Sequence, residues 1–163
     1  SIKCSTFSSC FALTSIILPN SISRIEDYAF YDCSSLTSIT IPSGVTHIDK
    51  HAFGSCSFLT SVVIPDSVIN IGEGAFEDCI FLKSIIIPNS VTSIGQSIFK
   101  GCKSLVSITI PNSIKSIGKE MFADCSSLDS VTISDGVKHI EELAFRNCRS
   151  LASITFPNSL NSI

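Results

Sequence analysis

Cysteine is the residue whose spacing in this sequence most invites a chemical role. Seven of the eight cysteines recur at a constant step of 23 residues, at Cys10, Cys33, Cys56, Cys79, Cys102, Cys125 and Cys148. Thiolates act as nucleophiles, metal ligands and disulfide partners. In a stack of parallel coils these side chains stand about 4.8 Å apart, whereas the Cβ atoms of a disulfide lie about 3.8 Å apart. We therefore expect a ladder of buried free thiols that act as small apolar spacers, with Cys4 exposed outside it.

No other group of side chains has the spacing of a catalytic or metal site. A nucleophile needs a neighbouring base and a metal needs converging ligands, but His47 and His139 occupy equivalent positions roughly 19 Å apart. His47 and His51 are expected to diverge into solvent. Carboxylate pairs such as Glu26–Asp27 are expected to solvate the surface. We predict no catalytic residue, no metal site, no cofactor and no enzymatic activity.

The 23-residue step organises the whole chain and predicts a solenoid. It carries phenylalanine, with which each repeat begins, through Phe7, Phe30, Phe53, Phe76, Phe99, Phe122 and Phe145. Another column runs from Ile2 to Ile163 in steps of 23, without insertion or deletion. We expect residues 1–163 to form one domain of seven coils, whose phenylalanine rings stack as a spine.

Each repeat contains the pattern of a leucine-rich repeat. Leu36-x-x-Ile39-x-Ile41 matches L-x-x-L-x-L, and Ile39 and Ile41 alternate with hydroxyl residues as in a strand with one buried face. Pro42 ends this strand. The spacing of Ala52 to Leu59 then suggests a short return segment, either a turn of α- or 3₁₀-helix or irregular. The predicted fold is a leucine-rich repeat solenoid with a parallel sheet on one face.

Composition excludes two classes of partner. The chain has 163 residues, a formal net charge of −3, and 44% hydrophobic against 15% charged residues. No basic surplus is available to neutralise phosphates, so nucleic acid is not an expected partner. No apolar run approaches the roughly 18 residues that span a bilayer, and this segment is not expected to insert into a membrane.

The outward side of the predicted strands is the candidate binding surface. One outward column is serine in every repeat, so variation elsewhere is where specificity could lie. Phe58 and Phe81 share a position that is Ala or Ser in the other repeats. They either form an exposed anchor or fold over the cysteine turn to fill a core gap. The candidate ligand-binding residues are Phe58, Phe81, Ile80, Thr60, Lys83, Val63 and Ile86.

The repeat resembles that of the BspA-like, or Treponema pallidum-type, leucine-rich repeat proteins. The resemblance rests on A-F-x-x-C-x-x-L-x-S-I-x-I-P-x-S-V-x-x-I, which covers essentially the whole chain. Ser134 departs from it at the strand-ending proline, and Thr6, Ile98 and Met121 depart at the alanine. The Ser- and Asn-rich residues 104–113 resemble the repeats of mucosal protozoa such as Trichomonas.

The resemblance implies a function that the residues themselves do not. Members of the family are surface-exposed or secreted proteins that adhere to host cells and to matrix proteins such as fibronectin. It thus implies a non-enzymatic adhesin module located at the cell surface. The alternative is a structural or intracellular interaction scaffold, which free thiols would suit. Because neither end coil has a polar cap, we also expect a longer repeat array or end-to-end self-association.

Overall fold

Alternation of apolar and hydroxyl side chains gives each repeat a short strand with one buried face. In the computed structural model, which describes residues 1–163, Ile39 is buried between exposed Ser38 and Thr40. Strands of neighbouring repeats pair in parallel with their equivalents within each sheet, so that Ser38 is opposite Ser61 and Ser61 is opposite Ser84. The predicted parallel solenoid with a 23-residue register is confirmed.

The strands form two series on two faces of the solenoid, which we call the front face and the side face. The front strands are β2 (Ser38–Thr40), β4 (Ser61–Val63), β6 (Ser84–Ile85), β8 (Ser107–Ile110), β10 (Ser130–Ile133) and β12 (Ser153–Thr155). The side strands are β1 (Arg24–Ile25), β3 (His47–Ile48), β5 (Asn70–Ile71), β7 (Ser93–Ile94), β9 (Ser116–Ile117) and β11 (His139–Ile140). The sequence predicts a sheet on the front face only, so the side strands are an addition to the prediction. Residues 15–17 of the first repeat form no strand.

Each face consists of two sheets rather than one. On the front face β2, β4 and β6 form one sheet and β8, β10 and β12 form another. On the side face β1, β3, β5 and β7 pair, and β9 pairs with β11. Both faces therefore change sheet between the same two neighbouring repeats. The front strand next to this break, β6, is only two residues long.

The return segment, from the end of each side strand to the start of the next front strand, contains no helix. The structure thus takes the irregular alternative of the prediction. Two residues in each repeat, four positions apart, have left-handed φ, for example His51 (φ 48°) and Ser55 (φ 58°). This conformation interrupts a right-handed helix. Between them the amide of Phe53 donates to Ala75 of the next repeat, and that of Gly54 donates back to His51. Hydrogen bonds to the next repeat thus alternate with bonds inside the turn.

The core is a stack of identical layers. Adjacent rings of the phenylalanine column lie 5.1 to 6.0 Å apart between centroids, with interplanar angles of 1° to 12°. Phe30, Phe53, Phe76, Phe99 and Phe122 are fully buried. This is the predicted spine. Because each coil buries its apolar side against its neighbours, the front face presents its outward residues at a regular spacing.

Candidate functional site

The two phenylalanines that precede the front strands of the third and fourth repeats, β4 and β6, are exposed. Phe58 is 55% exposed and Phe81 is 44% exposed, and their ring centroids lie 5.2 Å apart with a tilt of 37°. They contact each other but do not fill a gap in the core. The sequence left open whether the two rings are exposed or fold over the cysteine turn, and in the structure they are exposed.

The backbone holds this pair in place. The amide of Phe58 donates to Ser34 of the preceding repeat at 3.2 Å, and that of Phe81 donates to Ser57 at 3.0 Å. Leu59, which follows Phe58, is fully buried. The equivalent positions of the other repeats are Ala or Ser, and two of them, Ser104 and Ser127, make the same amide bond to the preceding repeat. The aromatic pair is therefore a local addition to a uniform scaffold.

A second pair of exposed apolar side chains lies on the same two repeats. Val63 is 72% exposed and Ile86 is 81% exposed, whereas the equivalent residues of the three following repeats are threonines. Phe58 is five residues before Val63, a separation of at most roughly 16 Å along the chain. We call Phe58, Phe81, Val63 and Ile86 together the apolar patch.

A polar groove continues the apolar patch toward the C-terminal repeats. It is an open depression of about 760 Å³ and lies where β6 and β8 do not pair. Ile86 belongs to both the patch and the groove. Other residues that line the groove include the hydroxyl side chains of Ser84, Ser107, Thr109, Ser130 and Thr132 and the amides of Asn89 and Asn112.

The other predicted ligand-binding residues lie beside or between the members of the patch. Thr60 and Lys83 are exposed neighbours between its two apolar pairs, and the amide of Lys83 donates to Thr60 at 3.3 Å. Ile80 is half-buried next to Phe81. The fold thus brings all seven predicted residues to two adjacent repeats of one surface.

The thiols of the cysteine ladder are free, and Cys4 is exposed outside it. Five of them, from Cys33 to Cys125, are buried, while Cys10 and Cys148 at the ends are half-buried. Burial raises the pKa of Cys33 and Cys148 to about 11. It raises the pKa of Cys56, Cys79, Cys102 and Cys125 further still. Since thiolates are the nucleophilic form, this environment keeps the ladder unreactive.

The buried thiols are more than apolar spacers, and here the prediction was incomplete. Cys56 Sγ donates to the carbonyl of Phe30 at 3.1 Å, and Cys79 Sγ donates to that of Phe53 at 3.2 Å. The same contact, 26 residues apart, recurs from Cys33 to Cys148. Each thiol therefore joins the phenylalanine of the preceding repeat to its own turn. The sequence held a signal for this contact, because the cysteine and phenylalanine columns share the same step of 23 residues.

The expectation that His51 points into solvent is wrong. Its side chain is only 16% exposed and stacks on Tyr28 at 5.2 Å between ring centroids. The next repeat has Gly74 at the equivalent position, where a Cβ atom would come within 2.2 Å of the imidazole ring. The glycine opens space for the ring. Tyr31 in the same way lies against Gly54.

Several carboxylates of the return segments form ion pairs. Glu77 lies 3.6 Å from Lys100, which lies 2.7 Å from Glu120. Asp49, the one buried charged residue, accepts two hydrogen bonds from Arg24. No three His, Cys, Asp or Glu side chains converge as metal ligands would. The chain also has no helix that could cross a membrane.

Comparison with known proteins assigns the family. The sequence matches the family described as BspA type leucine rich repeat region, in six copies, over residues 1–105 and 48–163. The chain belongs to the BspA-type leucine-rich repeat family. The resemblance in the repeat sequence is thereby confirmed. A search of curated proteins finds no significant match.

Solved structures of bacterial leucine-rich repeat proteins share the fold. A protein of Bacteroides ovatus superposes with a TM-score of 0.93 at 34% identity, over 97% of this chain. The Treponema pallidum leucine rich repeat protein gives 0.85 at 37% identity, over 89% of this chain and 71% of its own. A leucine rich cell surface protein of Faecalibacterium prausnitzii gives 0.72 at 36% identity, over 88% of this chain and 48% of its own. The chain spans 41% of the Bacteroides ovatus protein.

Proposed function

We propose that the chain is a non-enzymatic protein-binding module of a cell-surface adhesin, and that it attaches to a host-cell or matrix protein. The observation that carries the proposal is the exposed Phe58–Phe81 pair. Large aromatic side chains that enter a partner's pocket supply most of the binding energy at protein interfaces. Other exposed apolar side chains, such as Ile17 and Val106, also lie along the front face, but Phe58 and Phe81 are two exposed aromatic rings that lie against each other.

The size and regularity of the surface support a protein partner. Val63 and Ile86 extend the apolar area by up to about 16 Å from the aromatic pair. The groove beside Ile86 offers hydroxyl groups for hydrogen bonds at the rim. An apolar centre with a polar rim is the usual anatomy of a protein interface. Leucine-rich repeats as a class present such surfaces to macromolecular partners.

The cell-surface location is carried over from a relative. The Faecalibacterium prausnitzii protein with this fold, 36% identical over 88% of this chain, is described as a cell surface protein. A matrix protein such as fibronectin, the partner that the family resemblance implies, is the one to test first. Eight free thiols favour the other candidate, an intracellular interaction scaffold. That scaffold would use the same surface but bind no host protein.

Binding of the purified chain to epithelial cells and to immobilised matrix proteins, fibronectin included, tests this proposal. The variant Phe58→Ser/Phe81→Ser installs the residue that other repeats carry at this position. We expect saturable binding of the wild-type chain and an affinity about tenfold lower, or weaker still, in the variant. If the variant still binds, the binding site lies elsewhere on the chain. Absence of binding by the folded wild-type chain would contradict the adhesin and leave the scaffold.

A matched control separates the patch from general stickiness. Phe11 is 57% exposed and lies in the first repeat, where the next two repeats carry serine at the equivalent position. Phe11→Ser removes a similar apolar area away from the patch and should leave binding unchanged. The free energy of unfolding of both variants should lie within about 0.5 kcal/mol of that of the wild-type chain, because these are surface substitutions.

A further inference from the structure

Two unpaired lysines border the apolar patch. Lys83 lies between the Phe81 and Ile86 positions of the fourth repeat, and Lys103 follows Ile80 by one repeat. Both are exposed. Six of the eleven basic side chains form ion pairs, namely Lys3, Arg24, Lys50, Lys100, Lys119 and Arg146. Lys83 and Lys103 are not among them, although the chain as a whole is acidic.

The carboxylates nearest in register leave these two lysines free. Asp78 precedes Ile80, and its carboxylate lies over Gly101, where a Cβ atom would come within 2.0 Å of Oδ1. Asp129 shares the column of Lys83 but is two repeats away, about 10 Å. Neither forms an ion pair with a lysine of the patch. An apolar surface bordered by unpaired positive charge is complementary to an apolar segment bordered by negative charge.

We propose that the apolar patch recognises an extended, acidic segment of a partner protein. The segment would place one apolar side chain at Phe58 and Phe81 and another at Val63 and Ile86. Because successive side chains of an extended chain point to opposite faces, these two side chains are an even number of residues apart, and four residues span about 13 Å. Carboxylates between and beside them would meet Lys83 and Lys103. The inference rests on the proposed protein-binding function and adds the chemistry of the partner.

Peptides of defined charge test the inference without any host protein. Three probes of equal length carry two leucines four residues apart, so that both face one side of an extended peptide, separated by Asp and Glu, by Asn and Gln, or by Lys. At low salt we expect the acidic peptide to bind the chain about 3- to 10-fold more tightly than the neutral one. The lysine peptide should bind most weakly. The acidic preference should decline in 1 M NaCl, where charges are screened beyond about 3 Å.

Three variants make the outcome decisive. Lys83→Thr/Lys103→Ser installs residues found at the equivalent positions of other repeats and should abolish the acidic preference while neutral binding persists. Phe58→Ser/Phe81→Ser should weaken binding of every peptide. Arg149→Ser, in the column of Lys103 but two repeats away, should change neither. Equal binding of acidic and neutral peptides, an acidic preference that survives the lysine variant, or no binding of the acidic peptide would overturn the inference. Acidic selectivity without attachment to cells or matrix would instead retain it and reject the adhesin.

Discussion

At the scale of single residues, the thiol ladder couples the stability of the fold to pH. Cys79 is fully buried and donates to the carbonyl of Phe53, which also accepts the amide of Cys56. Burial disfavours the thiolate and so raises the pKa of the thiol. The folded chain therefore keeps protons that the unfolded chain loses above the ordinary thiol pKa of 9.0. Where the folded state binds more protons, stability falls as the pH rises.

The free energy of unfolding should accordingly fall between pH 8 and pH 10. Each buried thiol contributes up to about 1.4 kcal/mol to this fall for every pH unit above its ordinary pKa. Urea denaturation at several pH values measures the fall. Cys79→Ala should lower stability at pH 7 by about 1–2 kcal/mol, because a donor and some packing are lost, and should make the pH dependence shallower. A free energy of unfolding that stays constant up to pH 10 would show that the thiols are solvated.

At the scale of elements, the return segment depends on left-handed residues rather than on helix formation. Ser97 has φ 54°, and Gly74 occupies the equivalent position with φ 58°. Left-handed φ costs a residue with a Cβ atom about 1–2 kcal/mol, and glycine avoids this cost. Gly74 shows that the fold accepts glycine there.

Ser97→Gly should therefore stabilise the chain by about 0.5–1 kcal/mol, against the usual effect of introducing glycine. The neighbouring Gln96→Gly is the control, because Gln96 does not have positive φ. This variant should lower the free energy of unfolding by about 0.5–1 kcal/mol. Thermal or urea unfolding of both variants measures the difference. Equal destabilisation by the two glycines would contradict the left-handed turn.

The same element shows how far the sequence alone could lead. The front strands and their register followed from the period-2 alternation at Ile39 and Ile41, because one-sided burial fixes which residues face inward. The spacing of Ala52 to Leu59 is compatible with a helix, and only the backbone angles exclude it. The side strands are two residues long, too short for alternation to reveal. The exposure of Phe58 depends on its rotamer and neighbours, which no repeat pattern specifies.

At the scale of the whole molecule, stability passes from coil to coil. Phe76 is fully buried between Phe53 and Phe99, so Phe76→Ala should cost about 3–5 kcal/mol. Phe7→Ala, at a half-buried position near one end, should cost less. Hydrogen exchange should show lost protection spreading from the fourth repeat in the first variant and confined to the first repeat in the second. Uniform loss of protection in both would indicate a single cooperative unit.

The central claim is that the apolar patch on the third and fourth repeats is the binding surface. Hydrogen exchange of the chain, free and bound to fibronectin, tests it most directly, because it maps the contact without a substitution. We predict slower exchange in residues 57–63 and 80–86 and unchanged exchange in the side strands. Protection of the side strands alone, or no protection anywhere at saturating fibronectin, would contradict it.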